Sequence, residues 1–154
     1  MPEVLVLCEG QTEREFCREI VGPHVAGMGV KVSPTLRGKP DRKRGGICEW
    51  EPFRKELVGL WRGGSSGLYV SALVDYYAMP MSWPGRALAS TKPVTQRGQH
   101  VEAALVGELG GMFAGRFLPC VQLHEFESLL FVEPSVAAQT LAVGAGDGRS
   151  GVSA

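Results

Sequence analysis

The stretch that most constrains this chain is an unbroken apolar run, Val4-Leu5-Val6-Leu7-Cys8. It is too short for a buried helix and too uniformly apolar for a strand with one face in water. Such a run reads as a strand buried on both faces, as in a parallel sheet. It stops at Glu9-Gly10, where Gly10 is expected to supply a tight turn. Thr12-Glu13-Arg14-Glu15 then opens a helix, with Thr12 expected as N-cap and Glu15 as its capping-box partner. A buried strand thus delivers Glu9 to its carboxyl end, and the next helix brings Glu13 into its first turn. In open α/β sheets the carboxyl ends of the strands are where ligands bind.

The same unit recurs along the chain. Residues 12–28 read as a helix that Gly22-Pro23 should kink or end. Residues 30–36 read as a second strand, with Pro34 pointing to a sheet edge. Trp50, Phe53, Leu57 and Leu60 recur at helical spacing, which predicts an amphipathic helix over 49–62. Leu68 to Asp75 is a third strand, again finishing on a carboxylate. Tyr76 to Arg86 holds two prolines among aromatic side chains and reads as an irregular segment that packs down as a lid. Residues 87–96 carry no clear pattern; 97–113 read as a helix and 116–123 as a fourth strand, followed by His124-Glu125-Phe126-Glu127. A short helical piece near 128–131 and a last helix over 134–142, with Pro134 in its first turn, complete the reading. Strands alternating with helices predict a three-layer α/β fold around a mostly parallel four-stranded sheet, TOPRIM- or Rossmann-like in outline. One domain over 1–143 and a flexible Gly/Ser-rich tail over 144–154 are expected.

Composition narrows the function classes. With 16 basic and 16 acidic residues the formal net charge is zero, so any anion binding has to be local. The concentrated positive stretch is Arg37 to Gly46, which contains Arg37, Lys39, Arg42, Lys43 and Arg44. It reads either as a solvated loop or as a strap for phosphates, with Arg37, Arg42, Lys43 and Arg44 as the nucleic-acid-binding candidates. No aromatic interleaves with these charges, so base stacking is not indicated there. Cys8, Cys17, Cys48 and Cys120 show no CxxC spacing and read as reduced core thiols of a cytoplasmic protein. No apolar run approaches the roughly 20 residues that span a bilayer, and the N-terminus lacks the pattern of a signal peptide.

If the strands are parallel neighbours, Glu9, Asp75 and the Glu125/Glu127 pair meet at one edge. Converging carboxylates need compensation, and a hard cation is the usual one. Mg²⁺ or Mn²⁺ suits all-oxygen ligands, keeps several waters, and can activate water or offset charge on a phosphoryl oxygen. The candidate ligands are Glu9, Glu13, Asp75, Glu125 and Glu127. Glu9, Asp75, His124 and Glu125 are the catalytic candidates. Each has a plainer reading: Asp75 as a helix cap, Glu13 as a favourable charge at a helix start, His124 as a hydrogen-bonded core side chain. Glu125 and Glu127 lie two apart, so on a helix they diverge and in an extended segment they share a side; the choice between them stays open.

Val4 to Glu13 resembles the first motif of TOPRIM domains, in the version seen in OLD-type nucleases: a hydrophobic strand, a glutamate and a glycine before a helix with a second acid. Three blocks together resemble a bacterial family of unknown function with a TOPRIM-like fold. They are Glu9-Gly10-x-Thr12-Glu13; Leu73-Val74-Asp75-Tyr76-Tyr77 with Trp83-Pro84-Gly85; and Gln122-Leu123-His124-Glu125-Phe126-Glu127-x-Leu129-Leu130-Phe131. The resemblance covers residues 3–134. It implies that Glu9 takes the catalytic glutamate's place and Asp75 that of the first aspartate of Asp-x-Asp, where Tyr77 stands at the second. It also implies an AAA or ABC-like ATPase partner in defence against foreign DNA, and a domain that continues further, so that this chain reads as C-terminally truncated. Three readings follow: a Mg²⁺-dependent nuclease, a non-catalytic partner or regulatory subunit of an ATPase, and a small nucleotide-binding domain holding phosphate at the helix start after Gly10. The last lacks G-x-G-x-x-G and a P-loop lysine, and Glu9 and Glu13 would repel the anion.

Overall fold

The computed structural model describes residues 1–38 and 45–124. Its centre is a four-stranded sheet in the order β2-β1-β3-β4, built from β1 (Glu3–Cys8), β2 (Lys31–Leu36), β3 (Leu68–Asp75) and β4 (Phe117–Gln122). Every neighbouring pair is parallel, with Cys8 opposite Leu36 on one side and Leu73 on the other, and Asp75 opposite Gln122. All four carboxyl ends therefore face the same way. Pro34, which has no N–H to donate, sits on the edge strand β2, as its chemistry requires.

Helices lie on both faces, giving the three-layer α/β arrangement. On one face, α1 (Gln11–Phe16), a π-helical turn (Cys17–Val21) and α2 (Gly22–Ala26) run on as a continuous helical stretch. Cys17 packs there with Val6, Cys8, Leu36 and Leu73. On the other face, α3 (Trp50–Arg62) and α5 (Val94–Leu109) bury Phe53, Leu57, Val101, Leu105 and Leu109 against Leu7, Val70, Ala72, Val74 and Val121. The β1–β2 connection travels one way along the sheet and the β2–β3 and β3–β4 connections the other. Crossovers of a single hand then fall on opposite faces.

Several local expectations need correction. Gly10, not Thr12, is the N-cap of the first helix; no side chain caps it, and Glu15 pairs with Arg14 and Arg18 instead of closing a capping box. Gly22-Pro23 does not end the helix. Gly22 N–H reaches back five residues to the Cys17 carbonyl, and this wide turn falls just ahead of Pro23. A proline ring would crowd the carbonyl four residues back in a regular α-helix, and the wider turn relieves that. The fifth helix begins at Val94 behind Pro93, three residues earlier than the pattern suggests, and ends before Gly110-Gly111; the featureless 87–96 stretch contains most of α4 (Arg86–Ala89). Cys120 is exposed rather than a core thiol, because α1 and α2 pack over β1 and β2.

The segment 76–86 packs down as expected, but it does so by sinking several of its side chains into the core, while Tyr77 and Met81 stay exposed. Tyr76, Met79 and Trp83 are almost fully buried. The Trp83 ring packs 4.8 Å from Phe53 and 5.1 Å from Trp50, and its indole N–H donates to the Cys48 carbonyl at 2.8 Å. The two prolines keep the segment irregular while its aromatics fix it to α3.

Candidate metal centre at the carboxyl edge of the sheet

Glu9 and Asp75 arrive at the same rim from adjacent parallel strands. The Glu9 amide donates to the Leu73 carbonyl at 3.3 Å, extending the ladder one residue past β1. The Glu9 carboxylate then accepts the Asp75 backbone N–H at 3.1 Å through Oε2. Asp75 Oδ1 accepts the Tyr77 backbone N–H at 3.1 Å, an Asx-type turn that starts the following segment. Glu13 folds back from the first turn of α1. Its Oε2 lies where a side chain on Gly10 would stand, 2.7 Å from an ideal Cβ there. Gly10 itself is extended (φ −133°), so its role is room for that carboxylate rather than a left-handed turn.

Burial is the main influence raising the Glu9 carboxyl above its ordinary range. The Asp75 N–H opposes it, the Asp75 and Glu13 charges add to it, and Arg37 opposes it. The side chains of Glu9, Glu13 and Asp75 offer only oxygen donors, the ligand type that hard divalent cations take. Among the described residues, no three His, Cys, Asp or Glu side chains are disposed to hold an ion by themselves.

A family model described as a domain of unknown function (DUF4276) matches residues 8–148. The chain belongs to this family. No curated protein and no solved structure matches it. The DUF4276 match takes in Glu9, Glu13, Asp75 and His124 together with Glu125 and Glu127; its description names neither a TOPRIM domain nor a nuclease.

In this DUF4276 chain the remaining candidates are placed unequally. His124 lies two residues beyond β4, exposed, at the same carboxyl edge. Glu125 and Glu127 lie outside the described residues, as do Arg42, Lys43 and Arg44, the short 128–131 piece, the 134–142 helix and the 144–154 tail. Arg37 is engaged with the protein: its Nε donates to the Gly46 carbonyl at 2.7 Å and its Nη1 pairs with Glu56 at 3.3 Å. It acts as a staple of the loop that returns from the basic stretch.

Sequence reasoning missed that return. Gly46 N–H donates to the Glu9 carbonyl at 2.6 Å and Gly45 N–H to the Arg37 carbonyl at 2.9 Å. Gly45 is left-handed (φ +87°), and a Cβ there would stand 2.9 Å from the Glu9 oxygen. The only signal was Gly-Gly directly after a charged run. The reading with phosphate at the first helix start loses its room, since the Glu13 carboxylate sits over Gly10.

Proposed function

We propose that this DUF4276 protein is a metal-dependent phosphodiesterase acting on nucleic acid, TOPRIM-like in the placement of its acids. The observation carrying this reading is the meeting of Glu9 and Asp75 at one rim, with Glu9 Oε2 3.1 Å from the Asp75 amide nitrogen and the Glu9 carboxyl pushed up. A carboxyl raised by burial at the carboxyl edge of a parallel sheet, where ligands of open α/β folds bind, is a candidate functional group. Glu9 and Asp75 would contribute ligands to Mg²⁺ or Mn²⁺, with Glu13 a further candidate and Glu125 or Glu127 needed to complete the set. When bound, such a cation supplies an activated water and offsets charge on a phosphoryl oxygen. Burial raises the Glu9 carboxyl above its ordinary range, the direction that favours general acid–base work. His124, exposed at the same edge, would orient a ligand or contact phosphate, and Arg42, Lys43 and Arg44 would steer the backbone. An AAA or ABC-like ATPase partner and a setting in defence against foreign DNA follow from the TOPRIM-like resemblance.

The test is cleavage of labelled single- and double-stranded DNA and RNA with Mg²⁺ or Mn²⁺. Glu9→Gln and Asp75→Asn should each reduce the rate at least a hundredfold; cleavage surviving both changes refutes the assignment.

One observation favours a second reading, a non-catalytic subunit of an ATPase. Both acids already accept a backbone N–H, and the position two after Asp75 is Tyr77, an exposed phenol. Co-purification with an ATPase, together with no calorimetric heat from Mg²⁺ or Mn²⁺, would select it.

A further inference from the structure

Arg86 is the one buried charged residue among the described residues, 9% exposed. Its Nε donates to the Tyr76 carbonyl at 3.2 Å, its Nη1 to the Tyr76 hydroxyl at 3.0 Å, and its Cζ lies 4.0 Å from the centre of the Tyr76 ring. The ion pairs of the described residues engage Arg14, Arg18, Lys31, Arg37 and Arg54, and none reaches Arg86. A guanidinium withdrawn from water without a counter-ion is unfavourable, and buried charges are ordinarily paired. Nη2 takes part in none of these hydrogen bonds, yet no buried side-chain nitrogen among the described residues is left unsatisfied. Nη2 is therefore not fully sealed from solvent, while Nε and Nη1 are both committed to Tyr76.

Its position gives that opening a use. Tyr76 directly follows Asp75, and its N–H is tied to the Gln122 carbonyl at 2.8 Å, so the guanidinium is fixed at the carboxyl end of β3. We propose that Arg86 is an anion-binding residue whose free Nη edge takes the oxygens of a phosphodiester lying across this rim. The inference rests on the nuclease reading for the identity of the anion. Carboxylates for a cation and a guanidinium for the phosphoryl group then divide the work at one edge. Arginine suits it because a planar fork can stack on Tyr76, donate to it, and still present a second edge, which a lysine cannot do.

The experiment is calorimetry on the full chain without divalent cation, using inorganic phosphate and a short thymidine oligonucleotide as separate probes. Wild type should bind the oligonucleotide, with inorganic phosphate alone far weaker. Arg86→Lys should raise the oligonucleotide Kd about tenfold and Arg86→Gln more. Tyr76→Phe removes the Nη1 contact but keeps the charge, so it should lower the melting temperature and leave the Kd within about twofold. Wild-type affinity in a folded Arg86→Lys protein overturns the proposal and leaves Arg86 as a staple of the 76–86 segment. If Arg86→Gln fails to fold, Arg86→Lys and Tyr76→Phe still decide it. Arg86-dependent binding in a protein that never cleaves retires the hydrolase reading alone, and Glu9-dependent cleavage unaffected by Arg86→Lys retires this proposal alone.

Discussion

Gly45→Ala should destabilise the protein by about 2–3 kcal/mol, and Gly46→Ala by much less. Both glycines are left-handed, at φ +87° and +82°, a conformation that costs an L-residue about 1–2 kcal/mol. Both replacements also stiffen the unfolded chain, which returns about 0.4–1 kcal/mol. They differ in what a methyl group meets. At Gly46 nothing lies within 4 Å, whereas at Gly45 the Glu9 carbonyl oxygen stands 2.9 Å away. That oxygen is backbone at the end of β1, already accepting the Gly46 N–H at 2.6 Å, and it moves only if the ladder moves. Either the methyl stays crowded or the loop retreats and a hydrogen bond worth about 1 kcal/mol is lost. The contact itself is therefore worth about 1–2 kcal/mol, read as the difference between the two variants in urea unfolding at pH 7. Because the disturbed atom belongs to Glu9, divalent affinity should fall in Gly45→Ala and hold in Gly46→Ala. Equal urea midpoints for the two variants would refute the argument that this loop is clamped onto Glu9.

Three further outcomes follow from the same geometry. The Glu9 carboxyl is raised above its ordinary value near 4.5, so the native state binds that proton more tightly than the unfolded chain does. Its stabilising contribution is complete below that value and is lost as pH rises through the folded value; Glu9→Gln should thus gain on wild type in urea midpoint between pH 4 and pH 7, and a constant difference would contradict the sign. Trp83→Ala removes a 2%-exposed ring packed on Trp50 and Phe53 and should lose about 3–5 kcal/mol by thermal or urea melts; a loss under about 1 kcal/mol would show that 76–86 is not core. Tyr77→Asp removes a half-exposed ring that packs edge-on against Tyr76 and should cost about 0.5–1.5 kcal/mol while tightening Mn²⁺ binding in calorimetry; unchanged affinity would place position 77 outside the site.

What the sequence disclosed and what it withheld divide along a physical line. The four strands were legible to within about a residue; the central β1 and β3 showed most plainly, because burial between two helical layers writes itself into consecutive apolar side chains. That Glu9 and Asp75 share a rim was legible from parallel strands joined by crossovers of one hand, but their meeting depends on β1 and β3 being neighbours, which the sequence left as a condition. Contacts made by backbone atoms left no such trace. The Gly46 N–H on the Glu9 carbonyl depends on where a loop returns, and the Gly22 N–H on the Cys17 carbonyl depends on a proline one residue later. The 76–86 segment was read as a lid rather than as core because irregular backbone and a buried position look contradictory in sequence; its aromatic ring, not its hydrogen-bond ladder, holds it to α3. Arg86 entered the sequence reading only as the end of that segment, with no role of its own. Its burial against Tyr76, the residue after Asp75, depends on a contact across ten residues of irregular chain that no local pattern announces.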